Sequence, residues 1–263
     1  MRLGVVVSAA LALLGTAAAQ APEPRHELRI GVDTDRFNYT DTAAAESVRL
    51  TSKWNSRWTT AFTTTSYQRF AMDAQRFTAM VSRKMGNRSW ISVVGGAGHD
   101  EGVIPRREAA LEFGHAIPLS RKGLVRGVEF AVSPQWLWFA GTKVLVLSET
   151  GLLYLPRDWT LTVTIAEART SSGVPDIQWR PAGNARLNFP IGSDRLRGSL
   201  SFGAGTENFT KADELGHFSA RTFGGGVRYR LSARQEITVT VAYQDRSQAR
   251  TQTSVGVGYA VRF

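Results

Sequence analysis

The chain ends in SVGVGYAVRF, residues 254–263, a stretch in which bulky apolar residues alternate with small or charged ones. Successive side chains of a β-strand point to opposite faces, so this stretch predicts a strand with one apolar and one polar face. Strands of about ten residues with two such faces are typical of barrels that cross a bilayer, where one face meets lipid and the other meets water.

The same alternation recurs along the chain, for example over 237–243 and 159–165. Counting segments of about ten residues between turn signals predicts about fourteen strands, with twelve or sixteen as alternatives. The predicted fold is all-β, a transmembrane antiparallel up-and-down barrel. Short turns are expected at 55–56, 86–87, 120–123, 156–158, 192–194 and 232–234, and longer outer loops at 39–45, 98–105, 133–141, 170–176, 207–216 and 244–250.

The first nineteen residues have the pattern of a cleaved signal peptide. Arg2 precedes the apolar run 3–14, and Ala17 and Ala19 supply the small residues that a signal peptidase reads, so cleavage is expected before Gln20. Residues 20–263 then form one barrel domain. No later stretch approaches the roughly twenty apolar residues of a membrane helix, which argues against a helical membrane protein. The expected location is the outer membrane of a Gram-negative cell.

An aromatic residue at the very end of an alternating strand is typical of outer-membrane proteins. Tyr259 and Phe263 share the apolar face of the last strand, so we expect them to act as the signal that the barrel assembly machinery reads. The alternative, a soluble β-sandwich that ends in Phe, is less compatible with the sequence because sandwich strands are usually about half as long.

The composition narrows the range of partners. The formal net charge is +10 over 263 residues, and the chain has no cysteine, so disulfides and thiol-ligated metals are excluded. A basic exported chain is expected to meet lipid, lipopolysaccharide phosphates, anionic solutes or acidic polysaccharide rather than nucleic acid. We expect no cofactor and no metal.

The polar faces of the predicted strands carry more basic than acidic residues. The acids on these faces include Asp33, Glu112, Glu129 and Glu236. A water-filled lumen lined in this way would favour anions, whereas pairing of the arginines with these acids would fill the lumen with side chains. Both interpretations stay open. The basic candidates are Arg49, Lys53, Arg76, Lys84, Arg186, Arg197, Arg228, Arg230 and Arg262.

The tryptophans lie mostly near predicted strand ends, as in the aromatic girdles of membrane barrels. Trp136, Trp138 and Phe139 fall in one predicted outer loop, where they could stack on a glycan or pack within the loop. His99, Asp100 and Glu101 could supply acid–base or metal-binding groups, but no converging set of catalytic groups is evident. The chain is therefore predicted not to be an enzyme, with an outer-membrane lipid-modifying enzyme as a minor alternative.

Several stretches resemble the YaiO-type outer-membrane β-barrel family across nearly the whole mature chain. They are Arg69-Phe70, Pro105-Arg106 before 109–113 with Glu112, 145–154 followed by Asp158-Trp159-Thr160-Leu161, Tyr229-Arg230-Leu231, and 259–263. Where the family pattern leads us to expect Gly-x-Arg-Tyr, this chain has Gly127-Val128-Glu129-Phe130.

The resemblance implies an outer-membrane barrel with a link to exopolysaccharide handling and no catalytic residue. Two functions follow as hypotheses. The first is a passive channel or export pore for anionic solute or polysaccharide, which for polysaccharide would need a separate periplasmic export partner. The second is a non-conducting structural or surface-interaction barrel with a side-chain-filled lumen.

Overall fold

A computed structural model describes residues 25–69, 72–99, 104–120, 122–172, 179–207, 218–247 and 249–263. Within these residues, fourteen strands form one closed barrel in which sequence neighbours pair antiparallel. The strands are β1 (His26–Phe37), β2 (Ala43–Lys53), β3 (Trp58–Arg69), β4 (Met72–Met85), β5 (Ser89–Gly98), β6 (Arg107–Pro118), β7 (Gly127–Phe139), β8 (Thr142–Tyr154), β9 (Thr160–Ser172), β10 (Arg180–Ile191), β11 (Ser193–Glu207), β12 (Phe218–Arg230), β13 (Gln235–Arg246) and β14 (Arg250–Arg262). The predicted signal peptide lies outside the described residues.

The barrel closes where β1 pairs with β14, from Glu27 opposite Arg262 to Phe37 opposite Gln252. Beyond the last strand residue, His26 and Phe263 exchange two backbone hydrogen bonds of 2.9 Å. Closure removes the free edges that an open sheet would expose. The predicted fold class, a transmembrane antiparallel up-and-down barrel of about fourteen strands, is confirmed.

The alternation predicted for the last strand decides which side chains line the barrel. Val255 and Val257 point outward and are 46% and 53% exposed, as are many large apolar side chains of other strands. On the opposite face, Arg29 of β1 reaches Glu236 of β13 across the intervening β14, at 3.5 Å. Side chains two strands apart converge on the concave side of a barrel and diverge on the convex side, so this contact indicates the concave side. Polar residues therefore line the lumen and apolar residues cover the outside.

We call the end that carries Arg25 and Phe263 the terminal end and the other the distal end. Every short turn predicted from sequence lies at the terminal end. Gly86 and Gly192 have φ angles of 79° and 65°, a conformation that glycine adopts at no steric cost. One of these turns is a short 3-10 segment, Pro156–Asp158. No helix among the described residues is long and apolar enough to cross a bilayer.

One predicted outer loop is wrong. Residues 133–139 continue β7, and only Ala140 and Gly141 separate it from β8. Pro134 suggested a loop because it cannot donate a ladder hydrogen bond. In the barrel, Pro134 is paired with Leu147 of β8 on one side. On the other side, neither Pro134 nor Ser133 is paired with a residue of β6. The strand thus tolerates proline at a local gap in the ladder.

Candidate functional site in the barrel lumen

The strand registers place all nine basic candidates on the lumen face. Arg29 faces Arg49 across β1 and β2, and the other strands follow the same alternation around the barrel. On the terminal side of the lumen, Arg197 stands opposite Arg228, and Arg230 opposite Glu236. The full set is Arg49, Lys53, Arg76, Lys84, Arg186, Arg197, Arg228, Arg230 and Arg262. The predicted acids Asp33, Glu112, Glu129 and Glu236 share this face.

Glu236 is the centre of one ion-pair network near the terminal end. Glu236 is only 4% exposed. It lies 3.4 Å from Arg228 Nε, 3.5 Å from Arg29 Nη2 and 3.6 Å from Arg262 Nη2. Arg262 Nε also donates to Glu27 at 2.8 Å. One buried acid of β13 is therefore linked to three other strands, β1, β12 and β14, and these arginines are partly neutralised.

A second network joins β4, β6 and β7. Arg76 donates through Nε to Glu108 Oε1 at 3.1 Å and through Nη2 to Glu108 Oε2. Gln135 lies 3.5 Å from the same carboxylate. The pair passes over Gly96 of β5, where an added Cβ would collide with Glu108. Both lumen networks therefore fix basic side chains against the wall.

A third group of arginines shares Arg228 with the Glu236 network but includes two arginines that have no ion pair in the described residues, and we call Arg186, Arg197 and Arg228 the arginine cluster. They line a cavity of about 180 Å³ together with Thr160, Asn188, Ser199 and Thr238. Arg186 donates to Ser199 Oγ at 3.1 Å. Arg197 Nε is buried with no hydrogen-bond partner among the described atoms. The only carboxylate within ion-pair distance of the cluster in the described residues is Glu236, beside Arg228.

The geometry of the arginine cluster suits an anion. Arg197 and Arg228 are direct cross-strand partners, and like charges in such pairs destabilise a sheet. Gly226 takes part in the cavity wall without a side chain, which leaves space between the guanidinium groups. A guanidinium presents paired N–H donors that match carboxylate or phosphate oxygens. Sequence alternation located each arginine, but only the register shows that these three converge.

Trp90 does not lie in an outer girdle, in contrast to the general prediction for the tryptophans. It faces the lumen across from Gly114, and its Nε1 donates to Glu112 Oε1 at 3.0 Å. A Cβ on Gly114 would collide with the indole ring. The neighbouring stretch has apolar residues on both faces, so alternation alone could not assign the side of Trp90.

The predicted aromatic loop is also different in the structure. Trp136, Trp138 and Phe139 belong to β7, where Trp136 and Trp138 point outward and Phe139 is on the opposite face. They therefore do not form one platform. Tyr259 and Phe263 lie outward near the terminal end, and the Phe263 ring stacks on His26 with centroids 5.5 Å apart.

No group of three or more His, Asp or Glu side chains suited to a metal ion occurs in the described part of the chain. His99 follows β5 at the distal end, whereas Asp100 and Glu101 of the same predicted motif lie outside the described residues.

No family model and no curated protein matches the chain. Several solved structures of outer-membrane barrels, however, are similar to this chain. OpdQ of Pseudomonas aeruginosa aligns with a TM-score of 0.54 and 9% identity over 92% of this chain and 98% of its own. Omp33 of Acinetobacter baumannii aligns with a TM-score of 0.55 and 8% identity, over 92% of this chain and 99% of its own. A bacterial polysaccharide outer membrane secretin aligns with a TM-score of 0.56 and 12% identity, over 92% of this chain and 100% of its own. At such identities the likeness establishes the fold, that of outer-membrane barrels.

Proposed function

We propose that the chain is an outer-membrane channel that passes small anions, with the arginine cluster as its selective site. The proposal includes export by the signal peptide 1–19, a single barrel domain 20–263, and assembly through Tyr259 and Phe263. The distal end would face the medium and the terminal end the periplasm. No catalytic step is part of this function.

The observation that carries the proposal is the juxtaposition of Arg197 and Arg228 beside Arg186. These cations line one polar cavity, and a buried guanidinium N–H of Arg197 has no partner among the described atoms. An unmet buried donor costs about 1–3 kcal/mol, so an acceptor that reaches the Arg197 N–H would stabilise the site. A permeating carboxylate or phosphate would satisfy it in passing. Conduction requires a site that binds the ion strongly enough for entry and weakly enough for release.

A second candidate is a non-conducting barrel with a structural or surface-interaction role. Glu236 and Glu108 hold several lumen arginines, and the Trp90 ring occupies lumen space. A barrel of about fourteen strands lies between those filled by side chains and those with open channels. The architecture therefore suits either function.

Single-channel recording from the refolded barrel separates the two. Under a tenfold salt gradient, the reversal potential of the wild type should indicate anion preference. The double variant Arg197→Gln, Arg228→Gln should lose most of that preference while still opening. Arg83→Gln is the matched control, because Arg83 points outward over the Trp58 ring and does not face the lumen. A folded wild-type barrel that never conducts would favour the structural role instead.

Export of an anionic polysaccharide is the form of this proposal that the YaiO-type resemblance suggests. The same lumen charge would serve acidic sugars, and a separate periplasmic partner would deliver the polymer. Loss of surface glycan on deletion of the protein would support this form. Unchanged glycan together with lost anion permeability would restrict the function to small solutes.

A further inference from the structure

A basic and aromatic patch lies outside the barrel at its distal end, away from the lumen. Cross-strand pairing sets Arg107 beside Trp138 and Trp138 beside Lys143 in one outward row. The next outward row sets Trp136 beside Leu145 and Leu145 beside Arg169. We call Arg107, Lys143 and Arg169, with Trp136 and Trp138, the outer patch.

Within the part of the chain that the structure describes, the cations of the outer patch have no polar partner. Arg107, Lys143 and Arg169 are exposed, and none has a hydrogen bond or ion pair among the described residues. Arg107 and Lys143 flank β7, so their Cα atoms lie about 10 Å apart. Lys143 and Arg169 are diagonal neighbours, about 7–8 Å apart. The nearest outward carboxylate along β9 is Glu167, the next outward position from Arg169. The patch is therefore net positive.

The surface between these cations is a shallow cavity rather than a flat wall. It measures about 300 Å³ and is lined by both tryptophans, Leu145, Lys143 and Arg169, with Ser171 at its edge. Indole rings with apolar bodies and one N–H donor favour the zone between acyl chains and headgroups. Directly below the patch, the outward rows pair Leu147 with Glu167 and Glu149 with Ile165, and the apolar outward face then continues with Val163 and Leu161 of β9. The cations thus stand at the distal border of the apolar surface.

We infer that the outer patch binds the phosphorylated disaccharide headgroup of an outer-leaflet glycolipid of the lipid A type. Charge complementarity supports this occupant, since separated cations suit phosphates at the two ends of a disaccharide, and guanidinium groups bind phosphate strongly. The tryptophans would lie against the sugar and the first acyl segments. The inference rests on the outer-membrane location proposed above, although not on any conduction through the lumen.

Binding can be measured with fluorescently labelled, bis-phosphorylated lipid A titrated into the refolded barrel in detergent, followed by fluorescence polarisation. Wild type should bind at least tenfold more tightly than the double variant Lys143→Gln, Arg169→Gln. Arg83→Gln is the control, because it removes an outward cation beside a tryptophan at the terminal end. Dephosphorylated lipid A should bind the wild type as weakly as the phosphorylated lipid binds the double variant.

Equal binding by the double variant and wild type, or an equal loss in Arg83→Gln, would overturn the site. Heat-modifiable migration on gels establishes that each variant is folded. A triple variant that adds Arg107→Gln extends the test, because a phosphate site should weaken further with each cation removed. The double variant should keep wild-type conductance and anion preference. Loss of lipid binding with intact conductance would support the outer patch independently of the channel. Intact lipid binding in a barrel that does not conduct would contradict the channel proposal alone.

Discussion

Gly114 faces the lumen next to Trp90, and the residue must stay small for the indole to lie flat on β6. Replacing Gly114 with Ala should push the Trp90 ring away from Glu112 and destabilise the barrel by about 1–3 kcal/mol, as overpacking does. Urea unfolding of the lipid-refolded barrel, monitored by tryptophan fluorescence, measures this. Gly95→Ala is the control, since nothing lies within 4 Å of its would-be Cβ. Equal unfolding midpoints in the two variants would contradict the packing described.

The buried carboxylate of Glu108 holds Arg76 on the lumen wall. The Glu108→Gln substitution keeps the shape but removes the charge, leaving a partly buried guanidinium uncompensated. Breaking buried pairs in this way typically costs about 3–5 kcal/mol, and water in the lumen should reduce that to about 2 kcal/mol. Urea midpoints again provide the measurement. Glu149→Gln should show no loss, because Glu149 is exposed on the outward face opposite Ile165.

Sequence alternation and turn residues located the strands and the terminal-end turns, because a period of two and the turn chemistry of glycine or proline are local properties. Alternation did less well where both faces of a strand are apolar, as around Trp90. It failed at Pro134, where tolerance of a missing hydrogen bond depends on the partner strand. The convergence of Arg186, Arg197 and Arg228 was likewise beyond the sequence, since it depends on register between strands that turns of uncertain length connect.

The last strand yields a prediction about assembly. Phe263 caps β14, exchanges backbone hydrogen bonds with His26 and stacks on its ring. If the terminal aromatic is the assembly signal, Phe263→Ala should lower the folded barrel in outer-membrane fractions several-fold, although purified protein still refolds in detergent. Val255→Ala, an outward position of the same strand, is the control. Normal membrane levels of the Phe263 variant would show that the signal lies elsewhere.

For the whole molecule, the net charge of +10 alone did not say where the cations act. The closed barrel divides them between two surfaces. Inside, several form the ion-pair networks and the arginine cluster, and outside, three form the outer patch at the distal end, far from Arg83 at the terminal end. The two surfaces share no residue, so lumen and lipid-facing variants should have separable effects.

Electrostatic attraction of anions by the lumen arginines is screened over about 10 Å at 0.1 M salt and about 3 Å at 1 M. Anion preference in reversal-potential measurements should therefore fall as the mean salt concentration rises at a constant gradient. The variant Arg186→Gln, Arg197→Gln, Arg228→Gln should show little preference at any concentration, because its site charge is gone. A wild-type preference that is independent of salt would indicate selection by pore size, and the arginine cluster would then not be the selective site.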